Sequence, residues 1–305
     1  MSILAFQGSI ELGIIYAIMA LGVFLSFRTL NMPDMTVDGS FVSGAAVSVI
    51  MSMNGHPYLG LGLAFIAGCG GGCIMAFLHT KLKIQPLLAG ILSMLALYSI
   101  NLKILGGKAN IALLNKPTVF SNFEKVVSGE YSRLIISLGL ILFCLLVLYL
   151  FLNTRLGFLL RATGDNDQMV RALGVNTDLM IFIGLAISNG FVALSGAMIA
   201  QYQSFVDVGM GVGMVVIGLA SVIIGEVVFG TNFLIRRLIA VILGSILYRL
   251  IIAIALELGM PPTDLKLVSA VIVALAMSTP VLNKQFSVMK RKFNSGRADM
   301  KRNAH

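Results

Sequence analysis

Apolar stretches follow one another along this chain with short polar breaks. Nine are long enough to cross a membrane: 9–27, 36–53, 58–78, 86–105, 132–152, 178–201, 208–229, 238–257 and 265–282. A bilayer core about 30 Å thick takes roughly 20 apolar residues in helical form, whereas barrel strands would alternate in hydrophobicity over roughly 10 residues. The pattern predicts an all-α fold: a polytopic membrane bundle of about nine transmembrane helices. Two spans are irregular. In NMPDMTVDG, Pro33 disfavours the α conformation at Met32 and predicts a broken or late-starting second helix. The glycine-rich VGMGVGM, 208–214, predicts a short or irregular helix near the outer face.

Polar residues then orient the bundle. With the amino terminus outside, Arg28, Lys81, Lys83, Arg155, Arg161, Arg171, Arg236, Arg237 and the basic tail all fall inside. Lys103, Lys108, Lys116, Lys125, Arg133 and Lys266 fall outside, and Arg249 lies within a span. That division, 15 against six, follows the inside preference of Lys and Arg and puts the carboxyl terminus in the cytoplasm. The chain divides into a membrane domain, 1–282, and a basic cytoplasmic tail, 283–305, suited to anionic headgroups. The outer loop 106–131 is either a solvated connection or a surface for an external partner.

Composition changes little in this picture. The chain is 58% hydrophobic and only 11% charged, far from a soluble domain. Its net charge of +9 sits in loops and tail as topology demands, so no nucleic-acid partner is expected. Cys69, Cys73 and Cys144 lie in apolar runs and read as buried packing residues, with no metal site expected. The GCGGGC run around the first two fits close approach of helices.

One segment resists burial: RATGDNDQMVRALGVNTD, Arg161–Asp178. Its grammar is helix, stop, helix, stop. Gly164 supplies a left-handed residue after the first helix. Asp165 caps the second, with Gln168 in the place of a capping box. Met169, Val170 and Leu173 form a short apolar face, and Gly174 ends the helix. So short a helix is marginal alone in water, so its face must dock on this chain or on a cytosolic partner, or lie on the membrane as an amphipathic loop.

The longer segment LGFLLRATGDNDQMVRALGVNTD resembles the cytoplasmic coupling region of ABC importer permeases of the branched-chain amino acid and ribose permease superfamily. NMPDMTVDGSFVSGAAV, 31–47, and GLASVIIGEVVFG, 218–230, are similar to that family as well. Together they resemble the subgroup assigned to uptake of tryptophan or other aromatic amino acids, over residues 10–280. The resemblance implies a coupling helix within 153–177 that docks on a separate ATPase. Arg161, Gly164, Asp165, Asn166, Met169, Arg171, Leu173 and Gly174 would form that contact. It further implies a second permease, either a copy or a paralogue, and an external solute-binding protein. No cofactor is expected in this chain: it has no GxxxxGK[ST], so ATP would be bound by the partner subunit.

Ionisable groups inside a membrane are costly and are either functional or paired. Asp38, one turn past Asp34, is expected to lie deeper of the two and to line the substrate pathway. Asp34 or Thr36 is open to a simpler reading as a helix cap. Ser188 and Asn189 either line a cavity or bond a neighbouring helix. Glu226 and Arg249 are pathway candidates too, though an ion pair between Arg249 and Glu257 or Glu226 is the simpler expectation. Two other classes compete with an importer subunit. An ion-coupled transporter would use deep carboxylates, for which Asp38 and Glu226 are the candidates. An intramembrane enzyme would need a catalytic constellation that the spans do not offer.

Overall fold

In the computed structural model, which describes residues 3–126 and 131–261 and separate positions between 264 and 278, helices dominate. The first span is α1 (Ile3–Val23) continued by a π-helix (Phe24–Thr29). Next come α2 (Thr36–Met53), α3 (Pro57–Thr80), α4 (Pro86–Ile104), β1 (Asn110–Ala112) and α5 (Val119–Val126). Then follow α6 (Ser132–Leu152), α7 (Arg155–Asp165), α8 (Asp167–Ala172) and α9 (Thr177–Gln203). After α9 come β2 (Phe205–Asp207), a 3-10 turn (Val208–Gly211), α10 (Met214–Phe229) and α11 (Leu234–Glu257).

Among the described residues, 8 helices are long and apolar enough to cross a membrane, and they match the first eight predicted spans. The ninth, 265–282, and the tail lie outside the described residues, apart from those separate positions. At the centre stands α9, packed against α1, α2 and α3. Gly68 and Gly72 of the predicted close-approach run face it: an added Cβ would sit 2.3 Å from the Asn189 carbonyl oxygen and 2.2 Å from that of Leu185. Side chains could not occupy that seam. Of the three cysteines expected to be buried only Cys144 is; Cys69 is half-buried and Cys73 exposed.

Both irregular segments are confirmed. The chain leaves the π-helix at Leu30, turns through a left-handed Asn31 (φ 54°), and re-enters a helix only at Thr36. The 3-10 turn and Gly213 (φ +90°) interrupt the seventh span. One element was not foreseen: β1 and β2 pair antiparallel, with Ile111 opposite Val206. Val119 N donates to Gln201 Oε1 at 2.7 Å, so the 106–131 segment is tied to the end of α9 rather than being only a solvated link. Because α8 precedes α9 and β2 follows it, α7 and α8 lie at one end of the bundle and β1, β2 and α5 at the other.

Candidate functional site

The short polar segment folds as two helices, the first ending two residues later than predicted and the second capped one residue later. Thr154 caps α7 by accepting from Gly157 N, and α7 runs through Gly164 to Asp165. Gly164 is therefore helical rather than left-handed. Its role is steric: an added Cβ would lie 1.9 Å from the Thr29 carbonyl oxygen. Asp165 is not the cap of the second helix. Asn166 is, accepting from Met169 N at 3.0 Å, as its extended backbone allows. Gly174 has φ +81° and ends α8 as expected.

The apolar face of α8 is split. Val170 is buried against this chain, while Met169 and Leu173 are 52% and 73% exposed. Own-chain docking and an outward apolar surface are thus both present, on different sides of one turn. Arg171 is half exposed and pairs within its own chain with Asp178 at 2.9 Å and Asp167 at 4.0 Å. Arg161 places its guanidinium 4.5 Å from the Phe158 ring centre, within α7. Leu160, fully buried, meets Gly184 of α9, where Leu30 also packs. The segment is clamped to both the end of the first span and the central helix.

Depth reverses the expectation for the two aspartates. Asp34 is fully buried and Asp38 is partly exposed. Asp34 Oδ1 accepts from Thr36 N at 2.8 Å, and its Oδ2 accepts from Asn189 Nδ2 at 2.7 Å. Asn189 is 12 residues into α9, about 18 Å at 1.5 Å per residue. The 30–35 segment thus enters the bundle to that depth, and non-helical backbone is tolerated there because protein surrounds it. From the other end, Asp38 crosses to α10, accepting from Gly213 N and Val215 N, both at 2.9 Å. Each aspartate holds the amino end of an interrupted helix, where a carboxylate is favoured by unpaired N–H groups and the helix dipole. Asp38 also lines a small cavity of about 100 Å³ with Met94, Tyr98, Asn101 and Val212.

Ser188 and Asn189 bond neighbouring segments: Ser188 Oγ donates to the Gly22 carbonyl at 2.7 Å. Glu226 does not meet Arg249; it pairs with Arg28 at the end of the first span. Arg249 lies 4.3 Å from the centre of the Tyr16 ring, a cation–π contact. Reading the spans also missed Glu11, which is buried and accepts from Tyr202 OH at 2.9 Å. Its charge inside the first apolar run was the available signal. Sequence placed Val170 on the apolar face of α8 and Arg28 at the inner face, but not the inward turn of Val170 away from Met169 and Leu173, nor the pairing of Arg28 with Glu226. Among the described residues no cluster of metal-ligating side chains occurs.

A many-helix bundle that carries broken helices at depth and a clamped helix with an exposed apolar edge has the architecture of a solute permease. Residues 6–277 match the family model of the branched-chain amino acid transport system permease component, and the chain belongs to that family. It is similar to a tyrosine transport system permease protein of Clostridioides difficile, 42% identical over 88% of this chain and 89% of that one. An autoinducer 2 import system permease of Yersinia enterocolitica is 29% identical over 81% of this chain and 67% of its own. In fold it resembles a metal-chelate-type ABC transporter in an inward-facing conformation, with a TM-score of 0.51 and 15% identity over 92% of this chain and 85% of that one. The protein is a multi-pass inner-membrane permease subunit of an ABC importer for a small solute, and is not itself an enzyme. That membership implies ATPase and binding-protein partners.

Proposed function

We propose that two copies of this chain form the pathway for an aromatic amino acid, tyrosine being the first candidate given the relative at 42% identity. An external binding protein delivers the solute at the end formed by β1, β2 and α5. The ATPase, which binds and hydrolyses ATP, docks at the opposite, cytoplasmic end on α8. Lys and Arg concentrated in the segments of that end support this orientation.

The observation that carries the reading is the split face of α8. Val170 fixes the helix to its own bundle and leaves Met169 and Leu173 exposed, four residues apart and on one face. Force applied there passes through α7 to Thr29 at Gly164 and to α9 at Leu160. From the π-helix it reaches α10 through Arg28 and Glu226.

Reconstitution with the ATPase and binding protein tests both halves. Met169→Asp places a charge in the contact, and a tenfold loss of affinity needs only about 1.4 kcal/mol. The variant is expected to insert normally but to lose its ATPase on purification, while Leu114→Asp at the opposite end retains it. Full ATPase retention and stimulated hydrolysis in Met169→Asp would remove α8 as the contact. Tyrosine-dependent stimulation by the wild type tests the solute separately.

A further inference from the structure

At the end of the bundle that carries α7, a cavity of about 490 Å³ opens between the first span, α7 and the start of α11. Arg28, Arg161 and Arg237 line it, with Asp165 and Asn232. Three guanidiniums in one cavity need compensation, and little is present. Arg28 is paired with Glu226, and Asp165 supplies one further carboxylate. One positive charge is left over. Arg237 spends its Nε on the Thr231 carbonyl at 2.7 Å, which leaves its two terminal nitrogens to act elsewhere. The Nε of Arg161 is buried and has no hydrogen-bond partner in the structure. A buried donor without an acceptor is costly, so its persistence calls for an acceptor from outside.

The position limits what that acceptor is. Arg28 is the next-to-last residue of the first span and Arg237 lies in the first turn of α11, the depth at which headgroups meet helix ends. Phe158, which lines the cavity, and Phe233, next to Asn232 and Leu234 in sequence, are 58% and 71% exposed, offering apolar surface next to the charge. A planar fork of donors suits a tetrahedral oxyanion, and Arg pairs with phosphate bidentately. A phosphodiester carries the single negative charge that the cavity lacks.

We propose that this cavity binds a phosphate group, held by Arg161 and Arg237 with Arg28 oriented by Glu226, and that anionic phospholipid headgroups supply it. The site is independent of which solute the protein carries. Arg236 provides an internal control: it has the same charge, neighbours Arg237 and bonds the Phe229 carbonyl, but does not line the cavity.

The test uses the full chain in nanodiscs of phosphatidylcholine with a minor fraction of phosphatidylglycerol, and reads bound lipid by native mass spectrometry. Wild type is expected to retain phosphatidylglycerol above its bulk fraction. Arg161→Gln with Arg237→Gln should lower that retention about tenfold or more, at roughly 1 kcal/mol per basic residue near a surface. Arg236→Gln should change it little. Asn232→Asp, at an exposed lining position, adds repulsion without removing an arginine and should also lower retention, which covers the case of a misfolded double variant. A second arm titrates delipidated protein in detergent with inorganic phosphate against chloride at equal ionic strength. Stabilisation lost with Arg161→Gln, without phosphatidylglycerol enrichment, would keep the site and assign it to free phosphate. Equal losses in the Arg236 variant, or no dependence on Arg161 and Arg237 in either arm, would overturn the proposal.

Discussion

At the scale of single residues, the two aspartates illustrate how context sets the role of one side chain. Asp34 satisfies Thr36 N and Asn189 Nδ2 with no solvent access, so removing it orphans two buried donors. Each orphan costs about 1–3 kcal/mol. Asp38 holds two donors as well, but it is partly exposed and water can replace it. Asp34→Ala is therefore expected to lower the thermal midpoint in detergent more than Asp38→Ala, and to reduce the folded yield. Fluorescence-detected size exclusion after a heating series measures this. The reverse order would mean that the α10 amino end, not the 30–35 segment, is the weaker joint of the bundle.

Between elements, the contact to weigh is α7 against the π-helix. A methyl group at Gly164 would meet the Thr29 carbonyl at 1.9 Å, a backbone atom that cannot rotate away. Gly139 in α6 has nothing within 4 Å of the same added atom. Gly164→Ala must push α7 away from the first span, at a cost of typically 1–3 kcal/mol for overpacking. Gly139→Ala should be neutral or stabilise by about 0.5–1 kcal/mol through helix propensity. Unfolding midpoints compare the two directly. A second readout separates coupling from stability: Gly164→Ala should weaken solute-stimulated ATP hydrolysis below the unfolding range, whereas Gly139→Ala should leave it intact. Equal hydrolysis in both variants would show that force does not pass through the Gly164–Thr29 contact.

For the whole molecule, two exposed positions at opposite ends of the bundle report its topology. Leu114 is 80% exposed near β1, and Gln168 is exposed on α8. With an impermeant thiol reagent on intact cells, Leu114→Cys is expected to label and Gln168→Cys to label only after lysis, each against the parent protein with its native cysteines. The opposite pattern would invert the bundle and place α8 out of reach of any cytoplasmic ATPase.

The eight described spans were legible in sequence because bilayer solvation acts on each helix alone: a run of apolar residues needs no partner to be recognised. Broken helices were legible for the same local reason, from Pro33 and from the glycines of 208–214, and so was Gly174 at the end of α8. What the chain alone did not determine is which side chain faces which. Asp165 and Asn166 are adjacent and both can cap, but with Gly164 packed on Thr29 the first helix runs two residues further, to Asp165, leaving the cap to Asn166. Asp38 looked deeper than Asp34 along the sequence, yet the re-entrant 30–35 segment buries Asp34 against α9 while Asp38 stands where α10 begins. Glu226 found Arg28 rather than Arg249 because α10 ends beside the first span. Depth, partner and exposed face are properties of helices packed together, and only the tertiary structure decided them.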